Sequence, residues 1–327
     1  MTYKNKLILL SGSIAVLLIV NILTFVFDPQ RRGNRQDMYA WIESDQLPFI
    51  NRISISGTNE EQDIVLARNR DTWFVLRNEQ YYPARQTRVE DFLAILSRRS
   101  PYPVRSTNTS YHEQFMLTED QSSARIMITD SAGMPLLDLL LGQTDLSGQN
   151  IYMRKQGENE VRSGEDNFST YIKSWLTSWF NLRVFPETED GSLNAAHVQR
   201  FTVYPPADEE TLPEPREFTR EGRGWTFSFD LVDPDMTRVD TYLRDILNMS
   251  GDNFLDDIHP SDPMFNDSRI VLEFGDSSTR TIRFGPPESE QERRRAATVS
   301  GSDLVYTIAP WTISRIFLDE VMFERVQ

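Results

Sequence analysis

The 327-residue chain contains no cysteine. That excludes disulfides, thiolate metal sites, a cysteine nucleophile and a lipidated N-terminal cysteine together, and leaves the compartment open. Histidine is nearly as scarce: His112, His197 and His259 are the only three. His112 and His197 stand alone beside predicted strands. Only DDIHPSD, residues 256–262, sets an imidazole among carboxylates, and one imidazole in a proline-containing loop lacks the spacing of a metal site. There is no nucleophile elbow, no P-loop and no dinucleotide glycine fingerprint. The two glycines of EGRGW, residues 221–225, precede a strand, so no helix follows to cradle a phosphate. The acidic pairs Glu90-Asp91, Glu165-Asp166 and Asp256-Asp257 are neighbours on one helix or loop. Glycoside hydrolysis needs two carboxyls facing each other across a substrate, roughly 5–10 Å apart. The expectation is therefore a non-enzymatic chain with no catalytic residues, no cofactor and no metal.

Lysine is short as well, with four lysines against thirty arginines; nothing in the sequence accounts for that bias. Charge is uneven along the chain. Residues 28–186 carry 18 Arg/Lys against 21 Asp/Glu, whereas residues 187–327 carry 14 against 28. An acidic half repels phosphate-bearing partners, which excludes a nucleic-acid role.

What the chain does have is one long apolar run. LILLSGSIAVLLIVNILTFVF, residues 7–27, holds 21 residues without a charge. At ~1.5 Å per residue it spans a hydrocarbon core of about 30 Å. The rival reading is a signal peptide, but its apolar region is shorter, about 7–15 residues, and ends at a small-x-small site. Bulky Thr24-Phe25-Val26-Phe27 stands there instead, so the run reads as an uncleaved single-pass anchor. Lys4 and Lys6 on one side against Arg31, Arg32 and Arg35 on the other nearly balance. The six-residue tail favours the N-terminus inside and the body outside the cytoplasm. Residues 1–27 then form tail and anchor, and 28–49 a linker or juxtamembrane segment. In the latter, Tyr39, Trp41 and Ile42 form either an amphipathic turn on the membrane surface or a segment packed on the first domain.

Beyond the linker one phrase occurs twice. TRVEDFLAIL from Thr87 returns 150 residues later as TRVDTYLRDIL from Thr237. Val89, Phe92, Leu93 and Leu96, like Val239, Tyr242, Leu243 and Ile246, fall at i, i+3, i+4 and i+7, the stripe of an amphipathic helix. Thr87 and Thr237 are placed as N-caps, with Glu90 and Asp240 as helix-start acids. Three alternating segments precede each helix: 51–57, 63–69 and 72–78, then 199–205, 216–222 and 224–230. Strands at 124–130 and 136–143 answer 268–276 and 281–287. Hairpins at 150–164 and 296–308 follow, and aromatic helices at 168–180 and 311–323 close each half. Short gaps between strands require antiparallel pairing. The fold class is thus α+β: an N-terminal transmembrane helix, then two tandem repeats of antiparallel sheet with packed helices, 50–186 and 195–327. Residues 187–194 form the break.

The chain resembles domain-of-unknown-function family 4340, a bacterial set of membrane-anchored proteins. The residues that carry the resemblance are the anchor, Leu66-Ala67-Arg68, Trp73-Phe74-Val75-Leu76, Tyr82-Pro83-Ala84 with the first helix stripe, and Leu141-Gly142 leading to Tyr152-Met153-Arg154. Two places differ: Phe115-Met116-Leu117 replaces a tyrosine-glycine-leucine turn, and the second half has no tyrosine-proline-alanine turn. Members of the family accompany ABC-type transport components of the gliding-motility auxiliary class. The resemblance therefore implies membrane-protein partners of ABC-transporter type and an accessory or scaffolding role. The alternatives are a periplasmic enzyme acting on cell-envelope polymers, or a lipid- or glycan-binding module, each with its site between the repeats.

Two stretches are candidates for binding partners. Trp175 and Trp179 in WLTSWF have the composition of a binding hot spot, although their one-turn spacing equally suits a core. Arg293, Arg294 and Arg295 could grip an acidic partner, or form a solvated loop with Glu288, Glu290 and Glu292.

Overall fold

Strands form where apolar and polar residues alternate, and helices where apolar residues recur three and four apart. The computed structural model describes residues 38–57, 63–185, 194–206, 214–289 and 293–325. The expected anchor at 7–27, the segment 28–37 and most of the break at 187–194 lie outside the described residues. Among the described residues no helix is long and apolar enough to cross a membrane. The chain divides into two units, one ending at Trp179 and one beginning at Phe180. Both are mixed α and β with antiparallel sheets.

The first unit runs β1 (Met38–Tyr39), β2 (Arg52–Ser56), β3 (Ile64–Asn69), β4 (Thr72–Arg77), β5 (Gln80–Pro83), α1 (Gln86–Ser97), β6 (Ser100–Pro101), β7 (Val104–Ser106), α2 (Tyr111–Gln114), β8 (Ala124–Thr129), β9 (Pro135–Thr144), β10 (Asn150–Lys155), β11 (Val161–Glu165) and α3 (Ser169–Ile172). Nine strands make one sheet in the order β5-β4-β3-β2-β8-β9-β10-β11-β7, and β1 pairs with β6. Alternation puts Ile53, Ile55, Leu66, Trp73, Val75, Ile126 and Ile128 in the core, where α1 buries Val89, Phe92, Leu93 and Leu96. Each such side chain stabilises by about 1.5–3 kcal/mol on burial. Leu140 and Gly142 point to the opposite face from Leu139 and Leu141. There the excursion between β7 and β8 folds over the sheet as a flap. Its Phe115 and Leu117 build a second, smaller core with Leu140, Tyr152 and Val161.

Tyr39, Trp41 and Ile42 belong to this unit. Trp41 is 2% exposed, its amide donates to the Leu96 carbonyl at 2.9 Å, and its ring meets Tyr102 at 5.3 Å. Of the two readings of this segment, packing on the first domain is the one observed.

The second unit runs β12 (Val198–Tyr204), β13 (Arg216–Glu221), β14 (Gly224–Phe227), α4 (Met236–Leu247), β15 (Asn253–Phe254), β16 (Ser268–Phe274), β17 (Thr279–Pro287), β18 (Arg295–Val299), β19 (Val305–Ile308) and α5 (Pro310–Ile316). Its sheet has the order β14-β13-β12-β16-β17-β18-β19-β15. Phe201, Phe218, Trp225, Tyr242 and Phe323 fill the main core, with Phe201 and Phe218 stacked at 4.3 Å. A second core of Phe265, Ala296 and Val305 lies under Leu255, Ile258 and Met264. Residues 182–184, read from sequence as the end of the first repeat, bond within this unit: Val184 donates to the Met249 carbonyl and Gly251 to that of Leu182, both at 2.9 Å.

Two local expectations are corrected. Thr87 and Thr237 lie inside their helices, which begin one residue earlier. The caps are Arg85, without a side-chain bond, and Asp235, whose carboxylate accepts from the amides of Thr237 and Arg238. Asp240 instead accepts the indole N–H of Trp225 at 3.0 Å. The aromatic closing segments are not continuous helices either. Each breaks into a short α turn and a 3-10 turn, Leu176–Trp179 in the first unit and Glu320–Phe323 in the second.

Candidate partner-binding groove

Antiparallel register gathers three chain ends at one edge of the second unit. Pro287 at the end of β17 faces Arg295 at the start of β18. Arg295 in turn faces Ile308, two residues before α5 begins with Pro310. The groove between them has a volume of about 970 Å³. Pro206, Pro287 and Pro310 form its walls, and Trp311, Ile313, Ser314 and Phe317 come from α5 and its end. Phe317 is anchored edge-on against the buried Phe284 at 5.3 Å. Trp311 is 61% exposed at the rim.

Among the described residues the charged lining is arginine alone, Arg293 and Arg295. Arg295 is held by an ion pair to Asp267 and donates to the Gly285 carbonyl at 3.0 Å, leaving its side chain 12% exposed. Arg293 is exposed, with a left-handed φ of 50°. Among the described residues its guanidinium has no ion-pair partner. Arg294 is exposed outside the lining; its carbonyl accepts from the Glu288 amide at 2.8 Å. The lining offers guanidinium groups, an indole, a phenyl ring, a hydroxyl and prolines. Among the described residues it contains no carboxylate, imidazole or thiol.

The structure therefore brings Arg293 and Arg295 together but separates Trp175 from Trp179. Trp179 is fully buried, edge-on to Phe92 at 5.7 Å and under the Arg88 guanidinium at 4.8 Å, whereas Trp175 is 66% exposed. They share no face because the tighter 3-10 turn Leu176–Trp179, and not an α-helix, leads from one to the other. Trp311 and Phe317 were legible only as parts of a closing helix. Their signal is position: Trp311 falls five residues before the buried Ile316, off the helix stripe that faces the core. Elsewhere, the His112 ring bonds the Asn159 carbonyl at 3.2 Å and that of His259 the Ser261 hydroxyl at 2.7 Å. Asp166 caps the turn at Ser169. Among the described residues no three His, Asp or Glu side chains are grouped to hold a metal.

A family model described as Domain of unknown function (DUF4340) matches residues 73–266, from β4 of the first unit to just before β16 of the second. No curated protein and no solved structure matches the chain. Most of the groove lies past the matched stretch. Inside it, Gly142 and Arg154, two of the residues on which the resemblance rests, converge on the flap of the first unit. A Cβ on Gly142 would stand 2.0 Å from the Phe115 carbonyl oxygen. Arg154, 7% exposed, donates to the Leu117 carbonyl at 2.8 Å and to that of Glu158 at 2.9 Å. These residues seat the flap on the sheet. The match covers more than half of the sequence, and the chain belongs to the DUF4340 family.

Proposed function

We propose that the protein is a membrane-anchored, extracytoplasmic accessory or scaffolding subunit of an ABC-type transport or gliding-motility-like complex. It holds partner proteins and transforms no substrate. The groove of the second unit carries this reading, because its side chains are those that grip a protein surface. Buried aromatics and arginines dominate binding energy, and the described lining is made of such groups. The uncharged run at 7–27 supports the anchor.

The body is read as an internal duplication. The strand orders support it, since β4-β3-β2-β8-β9-β10-β11-β7 and β14-β13-β12-β16-β17-β18-β19-β15 place equivalent strands in equivalent order. Two pairs of hydrogen bonds support it further. The Arg85 amide donates to the Trp179 carbonyl at 2.7 Å, as Asp235 does to that of Phe323 at 2.8 Å. Arg88 reaches the Thr170 carbonyl at 2.9 Å, as Arg238 reaches that of Met322 at 2.9 Å. In each half the arginine of the repeated phrase ties the long helix to the closing segment.

The test is affinity purification of the tagged full-length chain from solubilised bacterial membranes. Transporter-type subunits are expected to co-purify stoichiometrically. Recovery of the chain alone, with its abundance unchanged, overturns the reading. A reporter fused to the C-terminus gives the sidedness: activity confined to an extracytoplasmic reporter is expected.

A further inference from the structure

We infer that the groove formed by Arg293, Arg295, Trp311 and Phe317 takes an acidic peptide segment of a partner protein, with an apolar side chain against the two rings and a neighbouring carboxylate on the arginines. This rests on the docking reading above and names its ligand class.

Charge points that way first. The half of the chain from residue 187 carries 28 acidic against 14 basic residues, yet no described acid lines the groove. A cationic patch within an acidic surface attracts a carboxylate and leaves the rest of the unit repelling it, which fixes where an acidic segment lands. Preorganisation points the same way. Asp267 and the Gly285 carbonyl occupy one end of the Arg295 guanidinium and fix its plane. A planar fork with donors to spare is suited to a carboxylate, and fixing it beforehand lowers the ordering cost of binding. Arg293, which has no ion-pair partner among the described residues, supplies a second guanidinium to the same lining.

The apolar wall decides between kinds of acid. Pro206, Pro287 and Pro310 have no amide N–H, so these walls offer no backbone donors to a hydroxyl-rich glycan. An isolated phosphate would leave Trp311 and Phe317 uncovered. A segment with an aromatic or branched residue beside glutamate or aspartate satisfies both sides of the groove. At about 970 Å³ the space is at the upper end of what one small ligand fills, roughly 300–1,000 Å³, and admits several peptide residues.

The test uses the full-length chain in zwitterionic lipid nanodiscs and a fluorescein-labelled nonapeptide alternating glutamate with leucine and phenylalanine, followed by anisotropy. Saturable binding that weakens with salt is expected. Arg293→Glu and Trp311→Ala should each weaken it at least tenfold. Arg280→Glu reverses another exposed charge, on β17, and should change it less than twofold. Both rim positions are exposed, so the variants should melt as the parent does. Equal binding of a peptide with lysine for glutamate, or with serine for leucine and phenylalanine, overturns the inference. So does an equal loss in Arg280→Glu, or full competition by millimolar inorganic phosphate or by anionic lipid in the discs. Absent peptide binding alongside intact co-purification of transporter subunits sinks the ligand class and spares the scaffold. Binding without co-purification does the opposite.

Discussion

Met116 holds a backbone angle that glycine would adopt more readily. It sits at φ 56°, in the left-handed region that costs an L-residue about 1–2 kcal/mol and glycine almost nothing. The resemblance to the family implies a glycine in that turn. Met116 is 41% exposed, so its side chain contributes little packing. Met116→Gly should raise stability by roughly 0.5–1 kcal/mol, seen as a shift of a few degrees in the first unit's melting, whereas Met116→Ala should gain nothing. Asp240 gives a second lesson at this scale. As an acid near a helix start it read from sequence as electrostatic trim. Its actual partner, the indole of Trp225, is fifteen residues away on a strand. No local pattern names such a partner, because tertiary packing chooses it.

At the scale of elements, what was legible followed period. Strands with two-residue alternation and helices with a clean stripe were placed within a residue or two: 63–69 against Ile64–Asn69, and 237–247 against Met236–Leu247. Short elements held by one or two neighbours, such as β5, β7 and α2, have too few residues for a period to emerge. The closing segments misled for a related reason: their aromatics pack at helical spacing, but the backbone turns twice. The groove was half legible. A run of three arginines flags itself, whereas Trp311 becomes a rim residue only once β17, β18 and α5 meet.

The flap is the element most exposed to a single change. Gly142→Ala would drive a methyl into the Phe115 carbonyl, so the flap must lift or the strand must shift. A loss of about 1–3 kcal/mol is expected, with faster proteolysis inside 107–122 than elsewhere. Gly275→Ala, whose nearest neighbour would be 3.5 Å away, is the matched control and should cost far less.

For the whole molecule, the second unit holds buried tyrosines that make it sensitive to alkali. Burial pushes the Tyr306 hydroxyl up to about 12 from its ordinary 10.0. Tyr242, whose hydroxyl donates to the Ile316 carbonyl, is raised further by burial. Between these limits the unfolded chain loses the Tyr306 proton while the folded chain keeps it, so the folded state binds more protons and stability falls as pH rises. Below pH 10 the contribution is fully present. Denaturant melts of the full chain at pH 9 and 11.5 should show the second unit weakening. Tyr306→Phe should recover ~2 kcal/mol of that loss, and an unchanged alkaline slope would assign it elsewhere.

The fifth strand of the first unit has a consequence for company of another kind. Arg77 and Gln80 close a tight hairpin, and the Ala84 amide donates inward to the Trp73 carbonyl at 3.1 Å. By alternation the backbone nitrogen of Pro83 therefore points away from the sheet, where it has no hydrogen to offer. The outermost border of that unit thus presents a gap in its row of donors, the device by which natural sheets refuse to recruit an unpaired strand from a neighbour. Copies crowded side by side would stay separate along this border, and growth of one sheet into the next stops at a single imino acid.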